Sequence, residues 1–177
     1  MNEQWAAYQD SKAFADRVAT LYGAGEDVLA LQKARYGKLV ERFEARFGAQ
    51  KGGLCFFSAP GRTELAGNHT DHQLGIVLCA AVTLDAAAAA ASAADNAVEI
   101  VSDGFGRVRV SLDDLAPRES EAGTTAALIR GVAAGFAAEG LRIGGWRACI
   151  HSLVPAGGGL SSSAAFEILT GAIFSAL

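Results

Sequence analysis

Two stretches of the chain gather the side chains able to do chemistry. "SAPGRTELAGNHTDHQLG", Ser58 to Gly75, sets Arg62, Glu64, Asn68, His69, Thr70 and Asp71 between glycines and holds two of the three histidines. "VPAGGGLSSSAAFEIL", Val154 to Leu169, runs three glycines into three serines at the head of a helical pattern. Consecutive glycines let a backbone approach a ligand closely and take dihedrals that other residues avoid. The first N–H groups of a helix lack internal partners and carry the positive end of its dipole. Gly157, Gly158, Gly159, Leu160, Ser161, Ser162 and Ser163 therefore outline an anion site suited to phosphate. No Lys-Ser/Thr pair follows the glycines, so this is not a Walker A loop, and the spacing is not the dinucleotide G-x-G-x-x-G. Taken alone, the stretch leaves a second reading open, a strand-to-helix turn that uses Gly and Ser only to cap.

The first stretch also has structural readings beside chemical ones. Arg62 follows Pro-Gly, a common surface turn, and Asp71 is able to form an Asx contact with its own backbone. His69 has the option of tying down the loop, and Thr63 and Glu64 of bracing it. His151 sits inside an alternating strand pattern and reads as structural.

Several elements must position these stretches. Residues 1–50 read as two helices, one with Phe14, Val18, Leu21 and Tyr22 on a face and one with Tyr36, Val40, Phe43 and Phe47, stopped by Gly23 and Gly48. "LCFFS" reads as a short strand, and Pro60, Gly61, Gly67 and Gly75 punctuate the next residues as a loop. "GIVLCAAVTL" is strand-like, and "VEIVSDGFGRVRVSL" reads as two strands about a turn, Val108 and Val110 alternating with Arg107 and Arg109. "TTAALIRGVAAGFAAEG" reads as a helix with a Thr start, a Leu128, Val132, Phe136 face and a Gly140 stop. "WRACIHSLV" then alternates as a strand into the glycine loop, and "SAAFEILTGAIFSAL" continues as a helix. "DAAAAAASAAD" has helical propensity, yet lies between strand-like segments where a strand also fits.

Composition narrows the class. A chain of 177 residues, 51% of them hydrophobic, can bury the core of one ordinary domain or of one and part of a second. Cys55, Cys79 and Cys149 are odd in number, widely spaced and set in apolar runs, which reads as buried free thiols in a reducing compartment. The start lacks a secretory pattern and no run is apolar enough to span a membrane, so a cytoplasmic location is expected. The net charge of −4, with basic residues scattered, gives no footprint for nucleic acid. A small-molecule partner is expected.

Together the two stretches resemble a known family. "PAGGGLSSSAA" is similar to the nucleotide-binding motif of the GHMP kinases. "APGRTELAGNHTDHQLGIVL" resembles the signature of that family's galactokinase branch, a Pro-Gly-Arg leading into Gly-Glu-His-Thr-Asp-Tyr. Order and separation also match, from about Leu54 to the end of the chain. The resemblance implies an α+β fold, the ribosomal-S5-domain-2-like N-terminal domain of GHMP kinases, a mixed sheet backed by helices. It divides the chain into a helical extension, 1–50, and a sugar- and ATP-binding domain, 51–177, and makes a strand of the alanine run.

The activity implied is transfer of the γ-phosphoryl group of ATP, with Mg²⁺, to the anomeric hydroxyl of galactose. Gly157 through Ser163 would cradle the triphosphate, with the Ser163 hydroxyl on the metal, and Ser102 would lie near the nucleotide. Asn68, His69, Thr70 and Asp71 match the sugar-contacting run. Arg62 matches the arginine beside the attacking hydroxyl, stabilising the transferring group and holding a catalytic carboxylate ionised. Departures from the pattern put the sugar in question: Glu64 stands where Asn is usual, Asn68 where Glu is usual, and His72 replaces Tyr. An amide both donates and accepts, whereas a carboxylate only accepts. A related hexose or pentose is the alternative substrate, and a non-catalytic sugar and ATP sensor the alternative function.

The family's catalytic Asp, its Mg²⁺-binding Glu and its C-terminal domain fall beyond Leu177. The chain reads as the N-terminal half of such an enzyme, without kinase activity by itself, and its last helix is expected to have little to bury against.

Overall fold

The computed structural model describes residues 3–67, 70, 73–103 and 106–177. Three helices open the chain: α1 (Glu3–Gln9), α2 (Lys12–Tyr22) and α3 (Glu26–Phe47). The sequence patterns predict two helices here. The extra break comes at Ser11, whose Oγ accepts from the Phe14 N–H at 3.1 Å and caps α2. Gly23 and Gly48 end α2 and α3, as expected, each at positive φ and each donating back to the last turn.

Five strands come next: β1 (Cys55–Ala66), β2 (Leu78–Ser92), β3 (Ala97–Ser102), β4 (Gly106–Ser111) and, after helix α4 (Thr125–Ala138), β5 (Trp146–Ser152). Helix α5 (Ser162–Ala176) closes the chain. Their order in the sheet is β1-β2-β5-β3-β4, with β3 and β5 parallel and every other pair antiparallel. The sheet is therefore mixed and the fold α+β, as the resemblance implies.

The alanine run lies in β2, an interior strand between β1 and β5. Ala86, Ala88 and Ala90 face a core formed with α4 and α5, including Ile129, Leu169 and Ile173. Ala87, Ala89 and Ala91 face the other way, onto Tyr36, Leu39, Val40 and Phe43 of α3. A strand buried on both faces loses the usual polar alternation. Alanine serves on both sides because the large side chains come from the helices, and tertiary packing overrides its helical propensity.

The structure corrects three further expectations. The segment after "LCFFS" is not a loop: β1 continues through Pro60, Gly61 and Arg62 to Ala66, with register shifts between Pro60 and Arg62 and between Glu64 and Ala66. β1 is an edge strand, where proline costs no ladder bond. Helix α5 does find a surface to bury against, since Ala165, Leu169, Ile173 and Phe174 pack onto the sheet and α4. Of the cysteines only Cys149 is buried; Cys79 is partly so and Cys55 is exposed. Burial pushes the Cys149 thiol up to about 11. Among the described residues no helix is long and apolar enough to cross a membrane.

Candidate functional site

The glycine loop links β5 to α5 and needs its glycines at defined places. Gly157 and Gly159 sit at φ 70° and 74°, and a Cβ on Gly158 would lie 2.7 Å from the Pro155 ring. Ser161, the N-cap of α5, is itself left-handed at φ 55°, ψ 53°, and its side chain makes no capping bond. A non-glycine residue in that region stores strain, a feature concentrated at ligand sites. The first amides of α5 are thus left without a side-chain acceptor at the helix's positive end.

β1 passes directly beside this loop. Gly61 lets it come that close: a Cβ there would stand 3.0 Å from the Leu160 carbonyl oxygen and 3.1 Å from Val154. At the register shift the Arg62 N–H donates to the Leu160 carbonyl at 3.1 Å, and Arg62 Nε donates to Ser161 Oγ at 3.1 Å. Arg62 Nη1 donates to Cys79 Sγ, on β2, at 3.2 Å. The two sequence stretches therefore meet, with Arg62 at the junction.

Thr70 closes a turn. Its hydroxyl donates to the Gly67 carbonyl at 2.8 Å, and its own carbonyl accepts from the amides of Gln73 and Gly75. Gly75 has no room for a side chain, since a Cβ would lie 2.1 Å from Thr70 Oγ1. Asn68, His69 and Asp71 lie outside the described residues.

A cavity of about 300 Å³ opens in front of the loop. Its floor is one face of the sheet: Ile100 and Ser102 of β3, Gly106 and Val108 of β4, and Ile150 of β5. Period-two alternation places Ser102 on the same face as Ile100. Thr124 and Leu128 come from the start of α4; Gly157, Ser162, Ser163 and Phe166 complete the wall. Thr124 caps α4 through its Oγ1 and the Ala127 N–H at 3.3 Å, so the N-termini of α4 and α5 both border the cavity. An apolar floor beneath two positive helix ends suits a ligand with a planar apolar part and an anionic part. A second, more open space lies on the loop itself, bounded by Gly157 to Gly159, Ser161 to Ser163 and Glu167.

Ser102, Gly157, Ser162 and Ser163 thus share one cavity, while Arg62 touches Ser161 from the sheet's other end. Sequence reasoning missed the floor residues Ile100 and Val108 and the wall residue Phe166, although the strand alternation carried the signal for the first two. The opposite face of β3 is charged. Burial would raise the Glu99 carboxyl, but its hydrogen bond from Arg107 and the charges of Arg107, Arg46 and Arg109 outweigh that and hold it below the usual carboxylate range. His151 lies on that side too, its Nδ1 accepting from Arg35 Nε at 3.0 Å, in keeping with a structural reading.

Known proteins share both the sequence signature and the fold. The galactokinase galactose-binding signature matches residues 41–92, from α3 through β2. Galactokinase of Enterococcus faecalis is 38% identical over 139 residues, 76% of this chain and 35% of that protein. Galactokinase of Bacillus subtilis is 38% identical over 135 residues, 74% of this chain and 34% of that protein. The crystal structure of Lactococcus lactis galactokinase complexed with galactose matches at a TM-score of 0.73 and 30% identity, over 81% of this chain and 37% of that one. Methanococcus jannaschii mevalonate kinase, 16% identical, shares the fold at a TM-score of 0.56 over 71% of this chain. The matched segment covers about a third of the length of these curated relatives. In sequence and in fold, this chain is similar to the part of galactokinases that these matches cover.

Proposed function

We propose that the chain provides the sugar- and nucleotide-binding portion of a galactokinase, which transfers the γ-phosphoryl group of ATP to the C1 hydroxyl of galactose and yields galactose 1-phosphate. The observation that carries this reading is the Arg62 Nε to Ser161 Oγ bond, because it joins the signature stretch to the glycine loop beside an open cavity. Phosphoryl transfer is mostly positioning and charge stabilisation, so the juxtaposition matters more than any single nucleophile.

In this reading the cavity floor takes the base, with Ser102 at its edge. The backbone of Gly157, Gly158, Gly159 and Leu160 and the first amides of α5, at Ser161, Ser162 and Ser163, hold the phosphates. Arg62 is the catalytic residue, placing a fixed positive charge where negative charge develops. Asn68, His69, Thr70 and Asp71 bind the sugar. We further take 51–177 as the ligand-binding unit and 1–50 as its helical cover.

The donor set also fits Mg²⁺. Among the described residues no group of three or more His, Cys, Asp or Glu gathers as a self-sufficient metal cage, whereas Ser163 presents a hydroxyl at the phosphate loop. Mg²⁺ is typically held by one or two protein oxygens together with substrate phosphates. The Ser163 hydroxyl would hold it, and the ion would supply charge neutralisation to the phosphate oxygens.

Calorimetric titration of the purified chain with galactose and with a non-hydrolysable MgATP analogue tests the proposal. Saturable binding of both is expected. Failure to bind either ligand would defeat the reading. A second reading, a kinase for a related sugar, is favoured by Glu64 and Asn68, and tighter binding of another hexose or a pentose than of galactose would establish it.

A further inference from the structure

We infer that Ser161 and Cys79 are positioning residues that clamp the Arg62 guanidinium and, through it, make sugar and nucleotide binding cooperative. The inference rests on the sugar and nucleotide reading above, and its structural part stands apart from that reading. Arg62 is held at two separate nitrogens, Nε by Ser161 Oγ at 3.1 Å and Nη1 by Cys79 Sγ at 3.2 Å. Its backbone N–H is tied to the Leu160 carbonyl at 3.1 Å. Side chain and main chain of one residue thus grip two consecutive residues of the glycine loop, across 99 positions of sequence.

The loop end of this clamp is strained. Ser161 sits at φ 55°, a region costly for a residue with a Cβ, and does so without the capping bond a serine ordinarily makes at a helix start. Its hydroxyl is turned to Arg62 instead. The left-handed conformation and the Arg62 bond support one another, so whatever fixes Arg62 also fixes the backbone that leads into the first amides of α5. Gly61 adds the third constraint, since even a methyl group there would press on Leu160 and Val154 and move β1 off the loop.

A ligand that orders the Arg62 segment therefore does part of the ordering that a ligand of the loop needs, which is positive coupling by linkage. The effect is reciprocal: each ligand raises the affinity of the other by the same factor. Cys79 sets the far end of the guanidinium and has no other described role.

Two measurements test this. In the absence of ligand, amide hydrogen exchange over residues 157–163 is compared between wild type and Arg62→Ala. Exchange about tenfold faster in the variant is expected from loss of the clamp, and unchanged exchange would overturn it whatever the ligands do.

Second, the affinity for MgAMP-PNP is measured with and without saturating galactose. Wild type should show coupling of about fivefold or more. Ser161→Gly, which keeps the left-handed backbone and removes the acceptor, and Cys79→Ala should bring the factor towards one. Ser161→Asn, which tolerates that backbone and restores an acceptor, and Cys79→Ser should retain most of it. Wild type that binds both ligands with a coupling factor of one overturns the cooperative part and leaves the proposed function standing. Wild type that binds neither ligand overturns the proposed function together with the cooperative part, and the exchange result alone then decides the clamp.

Discussion

Arg35 of α3 and Asp85 of β2 form a buried ion pair, Nη1 to Oδ1 at 2.6 Å, with side chains 7% and 2% exposed. Asp85 lies opposite Pro60 in the β1–β2 register, one residue before Gly61. Its other oxygen accepts from Ser58 Oγ at 2.5 Å and Tyr22 Oη at 2.6 Å, and Arg35 also donates to the carbonyls of Asp85 and His151. Five elements, α2, α3, β1, β2 and β5, are pinned at the place where β1 turns towards the glycine loop. The carboxylate is thus satisfied on both oxygens, the condition under which a buried charge is tolerated.

Removing one partner leaves the other charged and desolvated. Asp85→Ala should destabilise the protein by about 3–5 kcal/mol, seen as a lower midpoint in urea unfolding. The double variant Arg35→Met, Asp85→Leu should recover a good part of the loss. A single variant as stable as wild type would show that the network contributes nothing.

The alanines of β2 support a prediction of the opposite kind, about volume. Ala88 and Ala89 are both fully buried and face opposite helix layers. Leucine at either position inserts three carbons between sheet and helix and should cost about 1–3 kcal/mol by overpacking. Denaturation midpoints would show it, and two tolerated substitutions would mean that the layers are not in close contact. Ala→Ser at the exposed Ala81 serves as the neutral comparison.

Legibility from sequence divides along the same physical line, local against long-range. The face of α3, the Thr124 cap, the β3–β4 alternation and the glycine loop all depend on neighbours within a few residues, and each is readable; on α2 Phe14 and Val18 are buried as expected, but Leu21 is exposed. Pro60 and Gly61 were not readable as strand residues, because only their place on the sheet edge permits it. In the sequence Asp85 merely interrupts an apolar run, since Arg35, its partner, is 50 positions away. The same holds at the site: both loops announce themselves, but the Arg62–Ser161 contact that unites them exists only in three dimensions. Ile100 and Val108 carried a core signal that did not separate a cavity floor from packed interior.

His151 and Glu99 are two of the groups that shape the acid side of the stability profile, each from a different upper limit of pH. Burial first, and then the charge of Arg35, push the His151 imidazole below its ordinary value of 6.5, although Asp103 and Asp85 oppose this and Arg42 adds to it. The unfolded chain then takes up the proton first, so stability contributed by neutral His151 is whole above about 6.5 and declines as pH falls towards the folded value. The Glu99 carboxyl is held below its ordinary 4.5, and its share is present above that value and lost as pH drops further. His151→Gln should flatten the upper part of the slope and Glu99→Gln the lower part. Unfolding free energy measured against pH checks both, and identical slopes in wild type and variants would remove the assignment.

Filling the cavity tests which ligand it serves. Val108 is a partly buried floor residue of the roughly 300 Å³ space, on the face of β4 turned towards α4 and α5. Tryptophan there would occupy much of the volume proposed for the base while leaving Arg62 and Ser161, which do not line that cavity, in place. Affinity for the MgATP analogue should fall by about tenfold or more, equivalent to at least 1.4 kcal/mol. Galactose affinity, read at the far end of the sheet, should change little in the absence of nucleotide. A thermal melt guards against simple misfolding, since a folded variant that still binds galactose isolates the effect on the cavity. If that variant also binds the nucleotide analogue as wild type does, the base sits elsewhere and the floor formed by Ile100, Ser102 and Val108 is only a packing defect of the sheet.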